Sequence, residues 1–591
     1  MAEVKVISKK KKLIVTFIIM LILVFLFNRA MYWTEFSTWK NKVMVAVISL
    51  TGVIGMPLFL TYVKSVSDYI DMFISNKINQ IKALKDNRKK VLLYTALFVV
   101  IIIAAVLSEK LILSRISGSY SNHRMYFCIG AGILIFAIVL CGKIAYKRVE
   151  VIFAAAALIM GITYIMVSPR NLLVTWDDET HYLRSVSIAD AFDNTKYNAE
   201  SSFYDSQAAT YLYSQGEITE EEYEAILNNV EYQYELKLTD IRFGSEIGKE
   251  FVAYIPAAAG IIMGRALGLS FFHTFMLSKM VILFTYVLVM YFAIKKLKNG
   301  KILLAVIGLS STTMFMASTM SYDYWVIGFT TLGYSFFISE LQNRDKKLEY
   351  RNMIMMNICF LLGIAPKAIY FVLMFVLLFM PKDKFVDKKQ RKIYYTLIVG
   401  VAVFLMMTFL LPMLIGSSGT GDTRGGDAVN STEQIKYILS NPGEYTGTLL
   451  NFLKEYLDLD YAEEFITSMA YMGYGMGTTI TLMLMAVLMY IDRDEKKIKI
   501  PCVRGAYFFS AAVCIVLVAT ALYVSFTEVG ANYIAGCQPR YLLPILFPTA
   551  YFIGVDGVQT KINKNVMTVV SISIMSYFFM AGMWNTCFIK Y

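Results

Sequence analysis

Long apolar stretches, separated by short polar ones, recur along almost the whole chain. Many of them approach the length of about 20 largely apolar residues that one crossing of a bilayer requires. One long acidic, tyrosine-rich segment, residues 168–250, interrupts them, and shorter polar segments follow at 416–470 and 527–540. The pattern predicts an all-α, polytopic integral membrane protein with about 15 transmembrane helices.

The predicted crossings fall on both sides of the long polar segment. Before it, we expect spans near Leu13–Ala30, Val43–Val63, Val91–Leu107, Met125–Gly142 and Glu150–Val167. After it, we expect spans near Phe271–Ile294, Ile302–Thr319, Tyr322–Leu341, Met353–Gly363, Ala368–Met380, Tyr394–Ile415, Met472–Ile491, Ala506–Phe526, Tyr541–Val555 and Val566–Trp584. This division suggests an N-terminal transmembrane module, residues 1–148, and a core, residues 149–591, that carries the polar loops.

Two places depart from simple spans. Met353–Gly363 and Ala368–Met380 are each too short for a full crossing and flank Lys367, which indicates a pair of half-length helices around a break. Phe251–Leu269 is apolar but holds Pro256 and Arg265, so we interpret it as an interfacial or re-entrant helix.

The polar segments also carry local patterns. Ile218–Val230 is typical of an amphipathic helix capped by Thr219, and Ser431–Leu457 of an amphipathic helical segment near the membrane. Gly416–Asp427 is rich in Gly, Ser and Asp and predicts a loop.

Composition and charge agree with a membrane protein. The 591 residues are 57% hydrophobic and only 17% charged, which is less charge than soluble domains usually carry. The net charge of +12 needs no nucleic acid partner, because with Lys9–Lys12 placed inside, every strong basic cluster falls on the same side of the predicted topology. We therefore expect an uncleaved first span, a cytoplasmic N-terminus and polar loops on the opposite face.

Several kinds of site are not supported by the sequence. The chain has seven Cys without a CxxC pair and only three His, which argues against a zinc, redox or His-rich metal centre. A phosphate-binding loop of the GxxxxGK[ST] type is also missing from the sequence.

The strongest candidate for chemistry is the run from Trp176 to Arg184, WDDETHYLR. If it is helical, Asp177, His181 and Arg184 share one stripe. A carboxylate there could act as a general base, and His or Arg could hold a phosphate. The structural alternative is an acidic helix start that caps its own N-terminus.

Three further candidates lie at predicted span ends or breaks. Asp323 stands in an aromatic turn, Lys367 lies between the two half-helices, and Arg540 opens a late span on the side where basic residues are disfavoured. The structural alternatives are a solvated turn, a snorkelling lysine and an interface anchor beside Tyr541. Arg265, His273 and Lys279 are weaker candidates, since each could simply snorkel or cap.

These motifs resemble a known family. The run WDDETHYLRS, the lysine of GIAPKAIYF and the run QPRYLLP resemble domain-of-unknown-function family 2142, a bacterial membrane-protein family that is similar to GT-C-fold glycosyltransferases. The resemblance covers roughly Val149 to the C-terminus. Two departures from the family pattern are Asp178, where Glu is commoner, and Pro539, where Gly is frequent.

The resemblance implies an inverting, hexosyltransferase-like enzyme of the bacterial plasma membrane. Such an enzyme moves a sugar from a polyprenyl-phosphate carrier, such as undecaprenyl phosphate, to a cell-envelope glycan acceptor outside the cell. It implies catalysis by Asp177 and Asp178, and substrate binding by a second set of residues: Trp176, His181, Arg184, Asp323, Lys367, Gln538, Arg540 and Tyr541.

Other functions stay open from the residues alone. A polysaccharide polymerase or ligase favours Arg-rich outer loops, whereas the long loop here is acidic. A transporter or flippase without chemistry places ionisable residues inside spans, whereas most charges here lie at span ends. Asp177, Asp178 and Glu179 could ligate Mg²⁺ or Mn²⁺, although neighbouring acids alone do not establish a metal site.

Overall fold

The computed structural model describes residues 9–30, 43, 46–47, 49–62, 88–168, 175–190, 199–235, 251–414, 428–458, 461–493, 500–557 and 561–589. Ahead of the long polar segment, the helices are α1 (Lys9–Ala30), α2 (Met56–Tyr62), α3 (Arg88–Ser108), α4 (Asn122–Cys141) and α5 (Val149–Val167). The polar segment itself contributes α6 (Asp178–Asp190), α7 (Ala199–Ser214) and α8 (Glu220–Glu235).

The remaining helices build the rest of the bundle. They are α9 (Phe251–Leu267), α10 (Phe271–Lys296), α11 (Lys301–Gly308), α12 (Ser311–Ala317), α13 (Asp323–Gln342), α14 (Tyr350–Ile364), α15 (Lys388–Leu414), α16 (Ser431–Ser440), α17 (Pro442–Tyr456), α18 (Ala462–Ile466), α19 (Thr478–Ile491), α20 (Pro501–Phe526), α21 (Leu543–Ile553) and α22 (Lys564–Phe588). Across the ranges given above, the structure contains no β-strand, only one isolated bridge between Ser468 and Tyr474.

Eight helical runs in the described part are long and apolar enough to cross a bilayer. They are Val91–Ser117, Asn122–Cys141, Val149–Val167, Phe271–Lys296, Tyr350–Phe379, Lys388–Thr408, Pro501–Phe526 and Lys564–Phe588. Shorter apolar helices are Leu13–Phe25, Phe251–Leu267 and Thr478–Ile491. The chain is therefore a helical membrane protein, and these eight helical runs have the length and composition that one crossing of a bilayer requires.

The predicted span Ile302–Thr319 is wrong as a single helix. It consists of α11 and α12, which are separated at Leu309 and Ser310. Tyr286 donates a hydrogen bond to the carbonyl of Gly308 at 2.8 Å, and the hydroxyls of Ser310 and Thr313 lie 2.7 Å apart. These side chains satisfy polar groups at the break, which is tolerated because protein surrounds it on all sides.

The two predicted half-helices around Lys367 are instead one continuous helical run with a kink. Helix α14 continues directly into a 3₁₀-helical segment, Ala365–Phe379, and Lys367 has non-helical angles of φ −125° and ψ 70°. Pro366 has no N–H to donate to the carbonyl of Leu362, which lies four residues earlier. The indole N–H of Trp325 donates to that carbonyl instead, at 2.9 Å.

Two other predicted spans are shorter in the structure. The helical part of Met472–Ile491 is only α19, because Gly473 and Gly477 take positive φ values of 98° and 84° and hold the preceding residues in an irregular loop. The span predicted at Tyr541–Val555 is reduced to α21, which follows a 3₁₀ turn, Pro539–Leu542.

Two predictions for the polar segments are confirmed in outline. Helix α8 is capped as expected, since the Thr219 hydroxyl accepts from the Glu222 N–H at 3.2 Å and the Glu222 carboxylate accepts from the Thr219 N–H at 2.8 Å. Ser431–Leu457 is helical but divided into α16 and α17 at Pro442. The loop Gly416–Asp427 lies outside the described residues, whereas the span Val43–Val63 is described at residues 43, 46–47 and 49–62 and includes α2.

Basic helix ends gather at one end of the bundle. Lys384 pairs with Glu340 at 2.8 Å, and Arg493 pairs with Asp556 at 2.9 Å. The Asp492 carboxylate accepts from the N–H of Leu303 at 3.1 Å, at the start of α11. Asp323 and Glu340 lie near opposite ends of α13, which has 20 residues. The basic end of the bundle is therefore about 30 Å from Asp323.

The tight loop before α19 yields a stability prediction. A Cβ at Gly477 would overlap the ring of Phe578, and its φ of 84° is unfavourable for any other residue. We expect Gly477→Ala to destabilise the protein by at least about 2 kcal/mol, measured by unfolding in mixed micelles.

Gly505 in α20 is the matched control for that variant. A Cβ there would meet nothing within 4 Å, so Gly505→Ala should be neutral or stabilising by up to about 1 kcal/mol. Equal stability of the two variants would contradict the assigned backbone at Gly477.

Candidate active site

Asp323 lies at the centre of a charged cluster opposite the basic end of the bundle. It opens α13, and its N–H donates to the Ser321 hydroxyl at 3.0 Å, which fixes the turn before the helix. A carboxylate is favoured at a helix N-terminus because the unpaired N–H groups there carry positive partial charge. Its side chain is only 7% exposed, so it requires positive partners nearby.

Lys367 is the first of these partners. Its Nζ lies 2.7 Å from Oδ1 of Asp323, and its side chain is 14% exposed. The kink that Pro366 creates turns this lysine out of the regular helical spacing and toward α13. The lysine also lies over the Tyr541 ring, with Nζ 4.0 Å from the ring centroid.

Arg540 is the second partner, on the 3₁₀ turn Pro539–Leu542. Its Nε lies 3.2 Å from Oδ2 of Asp323, and its Nη2 lies 3.4 Å from Oδ2 of Asp177. Tyrosine hydroxyls fix this turn by donating to its carbonyls, that of Tyr456 to Gln538 at 3.0 Å and that of Tyr370 to Tyr541 at 2.9 Å. The guanidinium, 3% exposed, therefore bridges two carboxylates.

Asp177 precedes α6 instead of lying within it. Its φ of 59° is left-handed, a conformation that Asp tolerates better than most residues. Its carbonyl accepts from the His181 N–H at 3.0 Å and so starts the helix. The predicted helical stripe of Asp177, His181 and Arg184 is therefore wrong in its geometry, because the Asp177 side chain leaves the helix surface to meet Arg540.

Aromatic rings surround the charges. The guanidinium carbon of Arg540 lies 4.6 Å from the Trp176 ring centroid, and Lys367 Nζ lies 5.2 Å from that of Tyr322. Cation–π contacts of this kind hold cations in place without neutralising their charge. The Asp177 side chain is 28% exposed, which makes it the most accessible carboxylate of the cluster.

His181 and Arg184 adjoin the cluster through tyrosines. His181 Nδ1 lies 2.9 Å from the Tyr254 hydroxyl, and its ring meets that of Tyr322 edge-on at 5.1 Å. Arg184 lies over the Tyr254 ring at 6.0 Å. Burial, together with the positive charge of Arg540, lowers the pKa of His181 to about 3, so its imidazole is neutral at pH 7. Its Nε2 is buried and has no hydrogen-bond partner.

Asp178 and Gln538, two further predicted site residues, have different contacts from the residues around Asp323. Asp178 is buried, accepts from the Thr175 N–H at 3.0 Å and interacts electrostatically with Lys279. The Thr175 hydrogen bond joins the first residue of α6 to the segment just before the helix. Gln538 contributes its carbonyl to the Tyr456 contact, while its own Oε1 is buried without a hydrogen-bond partner.

The weaker candidates have structural partners outside the cluster. Arg265 pairs with Asp190 at 2.5 Å, and the His273 ring lies 2.7 Å from the Ser270 hydroxyl at the start of α10. Lys279 lies over the Phe275 ring at 4.6 Å. Within the part of the chain that the structure describes, no three His, Cys, Asp or Glu residues gather as a metal site would require.

Three tyrosines of the site had not been singled out from the sequence. Tyr254 lies in the apolar helix α9, where a tyrosine alone does not indicate a functional site. Tyr370 follows Lys367 by three residues, a helical spacing that could have identified it. Tyr456 ends α17 and is recognisable only from its contact with the Arg540 turn.

The DUF2142 family model, described as a predicted membrane protein, matches residues 173–548. The chain belongs to this family. The match begins just before Trp176 and ends just after the Arg540 turn, so it contains the whole charged cluster. No curated protein and no solved structure matches the chain.

The burial of His181 yields a pH prediction for this member of the DUF2142 family. Its pKa is lowered from 6.5 to about 3 on folding, so the unfolded chain binds a proton first as the pH falls. The contribution of neutral His181 is complete above pH 6.5 and is lost progressively between pH 6.5 and 3. We expect His181→Gln to reduce the fall in melting temperature between pH 7.5 and 5, and an unchanged fall would contradict the buried neutral imidazole.

The shared carboxylate yields a second prediction. Asp323→Asn leaves Lys367 and Arg540 without their central counter-charge, and removing one partner of a buried ion pair costs about 3 to 5 kcal/mol. Adding Lys367→Met should recover part of that loss, because it removes one of the uncompensated cations. Unfolding in mixed micelles measures both steps.

Glu433→Gln is the control for this pair of variants. Its exposed ion pair with Lys436 should contribute within about 0.5 kcal/mol. A loss for Asp323→Asn no larger than that of the control would contradict the buried cluster.

Proposed function

We propose that this protein is a membrane glycosyltransferase that moves a sugar from a polyprenyl-phosphate carrier to a cell-envelope glycan acceptor. The observation that supports it most is the convergence of Asp177, Asp323, Lys367 and Arg540 into one cluster. These residues come from four separate parts of the chain, and all lie within the family match. Two cations beside an accessible carboxylate suit a lipid phosphate and an acceptor hydroxyl.

The charge distribution supports the proposed orientation. Lysines and arginines concentrate at the end of the bundle that holds Lys384 and Arg493, and cytoplasmic ends of membrane proteins carry that excess. The cluster around Asp323 then faces the outside of a bacterial plasma membrane, with the N-terminus inside. The GT-C-like architecture with about 15 crossings belongs to the same proposal, as does a role for the five leading spans as an added module.

Lys367 and Arg540 bind the phosphate of the carrier in this proposal. Both are held toward the same point by Asp323, so a phosphate oxygen can replace part of that carboxylate's contact with each cation. Arginine suits two oxygens of one phosphate, while the lysine acts as a point charge. Trp176 and Tyr541, whose rings hold Arg540 and Lys367 in place, contact the sugar and the phosphate in this proposal.

Asp177 acts as the general base. It accepts the proton of the acceptor hydroxyl, the acceptor oxygen forms a bond to the anomeric carbon, and the bond from that carbon to the phosphate oxygen breaks. Polyprenyl phosphate leaves with the bonding electrons, and Lys367 and Arg540 stabilise its additional negative charge. Asp178 holds the start of α6, and His181 and Arg184 position the substrates from the Tyr254 side.

A comparison of cell-envelope glycans tests the proposal. Cells that produce Asp177→Asn should lose the sugar that wild-type cells incorporate, by at least 100-fold, since removal of a general base typically costs 10² to 10⁴ in rate. Glycan composition by mass spectrometry is the measurement, with protein levels matched.

Asp205→Asn provides the matched control. This exposed aspartate lies on α7 in the same polar segment, and its substitution should leave the glycan unchanged. Wild-type glycan in the Asp177→Asn cells at equal protein level would refute the transferase and favour transport without chemistry.

A further inference from the structure

An apolar groove runs down the outer surface of the bundle below the charged cluster. It encloses about 360 Å³ between α17, α20 and α21. Its lining is apolar apart from Thr549, and includes Leu453, Phe508, Ala511, Ala512 and Leu546. The two small alanines keep the surface of α20 open where larger side chains would fill the groove.

The groove follows the direction of a lipid chain in a bilayer. Helices α20 and α21 are antiparallel, since Arg504 near the start of α20 donates to the Gly554 carbonyl just after α21, at 2.9 Å, whereas Ile515 lies beside Leu542, just before α21. From Leu542 to Thr549 the groove descends about 10 Å along α21. It thus leads from the level of the cluster, at Leu542 and Ile515, toward the first part of α20, at Phe508.

The upper end of the groove approaches the charged cluster near the Tyr541 side chain. Ile515, Leu542 and Ile545 line both the groove and a small cavity that is closed above by Tyr370 and Tyr541. The Tyr541 ring also lies against Lys367, whose Nζ is 4.0 Å from the ring centroid. The small cavity and the Tyr541 ring therefore lie between the apolar groove and the buried cation.

We infer that this groove binds the first isoprene units of the lipid carrier while Lys367 and Arg540 hold its phosphate. The inference rests on the proposed function. In an isoprenoid phosphate the chain is bonded directly to the phosphate, which matches cations that adjoin the groove without an intervening polar pocket. A glycerophospholipid separates its chains from its phosphate by glycerol and ester groups, for which the groove offers only Thr549.

Ala512→Phe tests the groove without disturbing the core, because Ala512 is exposed on the groove surface. Binding of undecaprenyl phosphate to the purified full chain in nanodiscs should weaken at least ten-fold. Binding of inorganic phosphate should remain within two-fold of wild type. Arg540→Gln should weaken both, and the lipid-exposed control Ala104→Phe on α3 should weaken neither.

The possible outcomes distinguish failure of the groove proposal from failure of the proposed function. If undecaprenyl phosphate binding depends on Arg540 but stays within two-fold of wild type in Ala512→Phe, the groove proposal is overturned and the transferase proposal stands. A complete lack of undecaprenyl phosphate binding by wild type overturns both. If dioleoyl phosphatidic acid binds as tightly as undecaprenyl phosphate and Ala512→Phe weakens its binding equally, the groove is a general lipid site and isoprenoid recognition is overturned.

Discussion

The structure depends on one buried carboxylate that two cations share. Asp323 lies 2.7 Å from Lys367 and 3.2 Å from Arg540, and all three side chains are largely withdrawn from solvent. Charges in such surroundings are costly unless each has a close partner, so the start of α13, the kink after α14 and the 3₁₀ turn before α21 must meet at one point. Arg540 then reaches Asp177, which couples the polar segment to the transmembrane core.

Irregular backbone concentrates around this point. The break between α11 and α12, the kink at Lys367 and the turn at Arg540 all interrupt apolar helices, and a bilayer tolerates such interruptions only where protein surrounds them. Their free polar groups are satisfied by side chains, as the Trp325 indole does for the carbonyl of Leu362. The opposite end of the bundle carries the pairs of Lys384 with Glu340 and of Arg493 with Asp556.

Much of the site could be predicted because charge stands out in apolar sequence. Asp323, Lys367 and Arg540 each interrupt a hydrophobic context, and the topology brought them to one face together with Asp177. The break at Ser310 could not be predicted, since it depends on Tyr286 reaching Gly308 from another helix. Likewise, Asp177 and Asp178 are adjacent and chemically alike, yet with the left-handed backbone at Asp177 that carboxylate meets Arg540 while Asp178 accepts from the Thr175 N–H.

We propose that these distant charges form one outward-facing phosphate site. A cryo-EM structure of the full chain with undecaprenyl phosphate tests it most directly. We expect phosphate density in hydrogen-bond contact with both Lys367 and Arg540, at the end of the bundle opposite Lys384 and Arg493. Phosphate bound at that basic end, or Lys367 and Arg540 lying too far apart to contact one phosphate, would contradict it.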